Sequence, residues 1–347
     1  MLAFIGFSAA AQQSFLVQRG TMTIGAPATN LVTLDTPVAV GKSFVVASCR
    51  GGNRPRGMFT TVELTTIVED KYTQLEITKR HADGTSITEW QVIAGSEFTV
   101  QSGKIVNTDF GTATRDINEV DLSKAFLFLS AAPTTTGDEL RRVTVRGRFT
   151  SATRVEFVAW SVAKDLVWYV VEWEGARVQS GILEPRDNTV AFASLAQPVD
   201  LDKAFVYTVH NNNANPGTAG RAYIRTRFTS PNEIEFMNGT VATNRISWFV
   251  VEHDDVLVHS GLDETAELSI EKTIPGLDTN KTFMPVGQLG NAYTDSALGN
   301  HTPGANTHQL ESATNAVVRR TSSDGNLYAS WFVVQKRPPQ GTVIAVY

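Results

Sequence analysis

A tryptophan strand recurring at a fixed distance from a Val-polar-x-Gly run is the feature that most constrains this chain. Trp168-Tyr169-Val170-Val171-Glu172 is followed by Val178-Gln179-Ser180-Gly181, and Trp248-Phe249-Val250-Val251-Glu252 by Val258-His259-Ser260-Gly261. Trp90 precedes Val100-Gln101-Ser102-Gly103 in the same way, with Trp and Ser 12 positions apart in all three places. β-Branched and aromatic runs separated by a short polar turn read as a hairpin, so the spacing predicts an antiparallel pair at each junction. Regular recurrence makes that pair the unit of a repeat protein.

The Val-polar-x-Gly runs begin at Val17, Val100, Val178 and Val258, in steps of 83, 78 and 80 residues. A Lys-x-Phe strand follows each, at Lys42-Ser43-Phe44, Lys124-Ala125-Phe126, Lys203-Ala204-Phe205 and Lys281-Thr282-Phe283. Trp90, Trp168, Trp248 and Trp331 close the four copies and are expected to fill their cores. Between these landmarks the pattern has period two. Val143, Val145 and Phe149 alternate with Arg142, Thr144, Arg146 and Arg148, and Val155 and Phe157 flank Glu156. Such alternation excludes a helix and describes a strand with one apolar face. The fold class is therefore all-β, a tandem array of four antiparallel β-sandwich repeats of about 80 residues. Their expected boundaries are 1–99, 100–177, 178–257 and 258–347.

The terminal runs fit the same scheme. Phe4-Ile5-Gly6-Phe7 occupies the place of a degenerate partner for the first Val-Gln strand, and Thr342-Val343-Ile344-Ala345-Val346-Tyr347 that of a closing strand. Each is expected either to complete its own sheet or to be donated to a neighbouring subunit. The first run is short and lacks a basic flank, which argues against a secretory leader. The consecutive copies have no Gly/Ser or Pro tract between them and should be joined stiffly.

Composition narrows the functional classes. A net charge of −5 gives no support to a nucleic-acid partner. No stretch approaches the roughly 20 apolar residues of a spanning helix, so no membrane partner is indicated. Cys49 is the only cysteine, which excludes an intrachain disulfide framework. The sequence contains no phosphate loop, nucleophile elbow or histidine motif of a metalloprotease. The expectation is a non-enzymatic protein without a cofactor.

The functional lead is positional. A loop rich in Gly, Asn or Thr follows every Lys-x-Phe strand: Gly51 to Arg56, Pro133 to Asp138, Asn211 to Gly217 and Gly290 to Asn306. Loops carried on a rigid sandwich are where such proteins bind, unless they are simply free to vary. Arg54, Arg56, Asn211, Asn212, Asn213, Tyr293 and His301 are the candidate ligand or partner residues, because asparagine beside an aromatic ring suits sugar hydroxyls. Trp160 and Trp173 fall outside the repeat pattern and are expected to be exposed or at an interface. The arginine stripes Arg142, Arg146, Arg148 and Arg221, Arg225, Arg227 form either an anion-binding face or cross-strand pairs with Glu156 and Glu235. Two histidine pairs, His253 with His259 and His301 with His308, are weighed as metal ligands against plain surface residues.

These residues carry two resemblances. The order of a Lys-x-Phe strand, a variable loop, Arg148-Phe149-Thr150-Ser151 or Arg227-Phe228-Thr229-Ser230, and a Trp-aromatic-Val-Val strand resembles the H-type lectin sandwich. The tandem array, low in charge and rich in Thr, Val, Ala and Gly, resembles structural proteins of tailed bacteriophage virions. The second resemblance implies a virion location, in tail or capsid, with other virion proteins and copies of itself as partners. The first implies a host surface glycan as the alternative partner and carries over no sugar-binding residue.

Overall fold

The computed structural model describes residues 14–51, 57–108, 111–134, 144–159, 164–185, 188–212, 223–242, 244–288, 290–294, 305–321 and 325–337. Among them there is no α-helix, and the chain is all-β. The first strands are β1 (Leu16–Ile24), β2 (Ala28–Ala39), β3 (Ser43–Gly51), β4 (Thr60–Val68), β5 (Lys71–Lys79) and β6 (Ser86–Ala94). Next come β7 (Phe98–Thr108), β8 (Thr112–Asp116), β9 (Ala125–Pro133), β10 (Val145–Ser151), β11 (Arg154–Ala159) and β12 (Lys164–Trp173). They are followed by β13 (Ala176–Leu183), β14 (Asn188–Ser194), β15 (Ala204–Asn212), β16 (Ile224–Ser230), β17 (Glu233–Ala242) and β18 (Asn244–His253). The last are β19 (Val256–Thr265), β20 (Ser269–Thr273), β21 (Thr282–Phe283), β22 (Ala292–Thr294), β23 (Asn306–Ser312), β24 (Asn315–Arg320) and β25 (Leu327–Lys336).

The strand order is the same in each successive set. An inner sheet β1-β6-β3 is accompanied by an outer sheet β2-β5-β4, and then β7-β12-β9 by β10-β11-β8. β13-β18-β15 with β14-β17-β16, and β19-β25-β21 with β20-β24-β23, continue the series, β22 adding to β25. All described pairings are antiparallel.

This pairing corrects the hairpin expected at each junction. The Val-polar-x-Gly strand pairs with the tryptophan strand of its own set, not of the preceding one. The registers are Gly20 with Trp90, Gly103 with Trp168, Gly181 with Trp248 and Gly261 with Trp331. Both edges of the tryptophan strand are taken within its own set, so a preceding partner has no free backbone to meet. For the same reason Leu16–Ile24 needs no partner upstream, since β6 supplies it. The terminal runs Phe4–Phe7 and Thr342–Tyr347 lie outside the described residues. What spans the 12-residue interval is a tight turn that delivers the chain into the next set, with two residues between Trp173 and Ala176 and two between His253 and Val256.

The sets do not extend into a rod. In each inner sheet the tryptophan strand and the Lys-x-Phe strand are buried on both faces, one against the outer sheet of the set and one against the preceding set, which explains the unbroken apolar runs of β9 and β12, while β1, β13 and β19 alternate buried with exposed residues. Phe44, Phe126, Phe205 and Phe283, one from each Lys-x-Phe strand, meet edge to face in succession. Their centroids lie 6.4, 6.5 and 5.9 Å apart at interplanar angles near 88°. Phe15, Phe98 and Trp173 close the aromatic cluster at that end, Phe15 standing 6.4 Å from both Phe283 and Trp173.

The seams follow one rule: the outer-sheet strand after the long loop packs on the inner sheet of the next set. Val62 N donates to Ser130 Oγ at 3.0 Å and Leu64 N to Tyr169 OH at 2.9 Å. Phe149 meets Phe249 edge to face at 6.2 Å, and Thr226 exchanges two hydrogen bonds with the Asn291 amide at 2.6 and 3.0 Å. The last set then returns to the first. His308 N donates to Ser48 Oγ at 3.3 Å, and the Gln91 amide brackets Met284, donating to its carbonyl at 3.0 Å and accepting from its N–H at 2.8 Å. The array is a closed ring.

Candidate functional site

The phenylalanine cluster fixes the starts of the inner strands at one end of the ring axis, so their ends, and the long loops after Gly51, Pro133 and Asn212, leave at the other. A small cleft of about 30 Å³ opens there, lined by Phe59, Leu129, Thr144, Val145, Thr208, Val209, His210, Gly287, Gln288 and Gly290. It mixes apolar walls with hydroxyl, imidazole and amide groups and has no carboxylate, lysine or arginine among the described residues of its lining. Such a lining suits a neutral polar ligand.

Gln288 forms the floor. Its Nε2 donates to Thr60 O at 2.7 Å and Ala131 O at 2.8 Å, its Oε1 accepts from Ala131 N at 2.9 Å, and its carbonyl accepts from Cys49 N at 2.8 Å. One glutamine of the last set thereby ties down strands of the first and second. Cys49 is fully buried beside Thr60 and Thr88, and burial pushes its thiol above the ordinary range. It is a packed residue rather than a reactive one.

The candidates from the sequence are dispersed. Arg54, Arg56, Asn213, His301 and Trp160 lie outside the described residues. Asn211 and Asn212 are the last residues of β15 rather than loop positions, and Asn211 is buried. Tyr293, read as an exposed aromatic, is buried: its ring stacks on Tyr328 at 4.7 Å, and the Arg225 guanidinium lies 5.5 Å from its centroid. Trp173 is only 1% exposed, because the turn it precedes sits at the axis and brings His253 to 4.5 Å and Lys336 to 5.8 Å from the indole. It joins sets within the chain and offers no outer surface.

His253 and His259 do not come together, and His301, the partner expected for His308, lies outside the described residues. His253 stands opposite Ala176 and His259 opposite Val333, on different sheets. The His253 Nε2 hydrogen-bonds to Glu174 O at 3.0 Å, and its Nδ1 accepts from Asp255 N at 3.0 Å, an arrangement that needs the neutral ring. Burial, with Lys336 nearby, lowers its pKa. His308 is buried and held by Asn306 at 2.8 Å. No group of three metal-ligating side chains occurs among the described residues.

Of the arginine stripes, Arg148 is paired with Glu156 at 2.6 Å and Arg227 with Glu235 at 2.9 Å, in cross-strand register. Glu235 also accepts from Arg225, and the two arginines hold its carboxyl below its usual range against the opposing effect of burial. Arg142 and Arg221 lie outside the described residues. The residue that sequence reasoning passed over is Gln288, for which the only signal is a polar amide at the repeat position that Cys49, Ala131 and His210 hold in the other copies. No family model matches the chain, and no curated protein matches it.

Proposed function

We propose that this chain is a non-enzymatic structural component of a tailed-phage virion, a rigid ring that packs against other virion proteins and copies of itself. The observation that carries this reading is the return of the last set onto the first through Gln91, Met284, His308 and Ser48. A closed ring whose tryptophan and Lys-x-Phe strands are buried on both faces holds its outer sheets at fixed positions, as a building block in an ordered assembly must. The low charge and the resemblance to tandem virion proteins point the same way. Antibodies raised against the purified chain should label phage particles at regular positions in negative-stain images. Unlabelled particles, with the protein left free in the lysate, would overturn the reading.

A second reading, attachment to a host glycan, is favoured by the uncharged cleft at the loop-bearing end, where Phe59 lies among Thr144, Thr208, His210 and Gln288. Phe59 is buried and the Gln288 amide is engaged by the backbone, so the groups that would meet a sugar are the Thr208 hydroxyl and the His210 imidazole. A glycan array is the test. Binding lost on His210→Ala supports it, and an array without a hit removes it.

A further inference from the structure

The seam between β10 and the inner sheet of β13, β15 and β18 holds buried polar atoms that have no hydrogen-bond partner among the described residues. Arg146 is 4% exposed, and its Nε and Nη1 have no hydrogen-bond partner. Across the seam, Asn211 Oδ1 and Ser247 Oγ are likewise buried and unpartnered. Asn211 stands opposite Arg245 in the sheet, and Ser247 follows two residues along the same strand face. Buried polar atoms without hydrogen-bond partners are destabilising, so their gathering in one seam is a cost that a bound group would remove.

The charges at the seam do not balance either. Arg146, Arg148 and Arg245 meet two carboxylates. Glu156 is engaged by Arg148, which leaves Glu184, 41% exposed, to be shared at 3.5 Å by Arg146 and at 3.4 Å by Arg245. Neither distance is that of a well-formed charged hydrogen bond. The following seam is partnered differently, although Arg225 Nε and Ser330 Oγ, in the places of Arg146 Nε and Ser247 Oγ, are also buried and unpartnered there. There Arg225 occupies the place of Arg146, but Glu235 accepts from it and the Tyr293 ring covers its guanidinium. In the place of Arg245 that seam has Tyr328, stacked on Tyr293. Arg146 has neither the carboxylate nor the ring.

We propose that this seam is a binding site for a small oxyanion that also carries a hydroxyl donor, the anionic oxygens received by Arg146 and Arg245 and the hydroxyl by Asn211 and Ser247. Hydrogen phosphate and the carboxylate edge of an acidic sugar share this chemistry. The site stands whether or not the chain belongs to a virion.

Thermal unfolding of the full chain, measured against phosphate and against glucuronate with chloride at matched ionic strength as the blank, tests it. A saturable rise in midpoint is expected with at least one of the two, as a ligand selective for the folded state requires. A response to glucuronate alone identifies the sugar carboxylate as the ligand, and a response to phosphate identifies a phosphate group. Arg245→Gln, at a half-exposed position, should weaken binding at least tenfold. Arg146→Met should fold, because it replaces an under-partnered buried charge by an apolar chain of similar length, and should abolish the response. No rise beyond chloride, or a rise unchanged in both variants, overturns the proposal.

Discussion

A Cβ placed on Gly103 would lie 2.6 Å from Cζ2 of Trp168, its register partner on the neighbouring strand. The same glycine–indole pair recurs at Gly20 and Trp90, where the distance is 2.5 Å, and at Gly181 with Trp248 and Gly261 with Trp331. The glycine of the Val-polar-x-Gly motif is thus a seat for the ring that fills each sandwich. Backbone freedom is not the reason, since these glycines lie in extended strands.

Gly103→Ala should therefore act by overpacking. The indole is hemmed by Phe157 at 6.0 Å on the facing sheet and has little room to retreat. The expected loss is about 1–3 kcal/mol, read from urea unfolding. A change within about 0.5 kcal/mol, the range of ordinary surface substitutions, would show that the pair is not tightly packed.

The period-two alternation of β10 and β11, the buried tryptophans and the Arg148–Glu156 pair were all legible in the sequence, because each depends on residues near in the chain or on strand periodicity. Strand partnership was not. A turn into the next set and a hairpin with the previous one share the same 12-residue spacing. The choice is made by Gly103 facing Trp168, a contact between strands at opposite ends of a set. Ring closure was hidden for the same reason, since Gln91 and Met284 are 193 residues apart. Trp173 breaks the repeat pattern and Tyr293 falls in a loop-like stretch, which made both look like surface residues; they are buried because the axis and the seam are where the sets differ. The seam arginines were legible as a stripe, but their unequal pairing follows only from the packing of β10 on β18.

Gln288→Ala tests the floor of the cleft. It would remove three side-chain hydrogen bonds to the backbone of Thr60 and Ala131, leaving part-buried groups without partners. At about 1 kcal/mol for each bond, a loss near 3 kcal/mol is expected in denaturant unfolding. Gln288→Glu should be as damaging, because a carboxylate cannot donate to the two carbonyls. Near-normal stability of either variant would mean that water replaces the amide without cost.

The ring predicts one cooperative transition. Phe205 is 1% exposed and touches Phe126 and Phe283, rings of the sets on either side. Phe205→Ala should cost about 3–5 kcal/mol and lower the whole calorimetric transition. A rod of independent sandwiches would instead show one early component beside unshifted later ones. That outcome would refute shared packing at the axis.

His308 supplies a pH dependence whose sign is fixed by its burial. Enclosed at the seam between the last and first sets, with Nδ1 unpartnered, it has a pKa lowered to about 3 by desolvation, from an ordinary value of 6.5. Below pH 6.5 the unfolded chain takes up a proton that the folded chain refuses. Stability from this group is therefore complete above 6.5 and falls on acidification until about pH 3, at up to about 1.4 kcal/mol per pH unit. His253, also lowered, contributes with the same sign. The paired carboxylates add terms of their own, so the informative quantity is a difference. His308→Gln keeps a side-chain donor for Asn306 but cannot titrate. Its unfolding free energy, measured in urea at pH 7, 6 and 5, should fall less steeply than that of the parent, by about 1.4 kcal/mol per unit between pH 6 and 5. Parallel slopes would mean that the folded chain admits the proton, and that the seam opens far more readily than its packing implies.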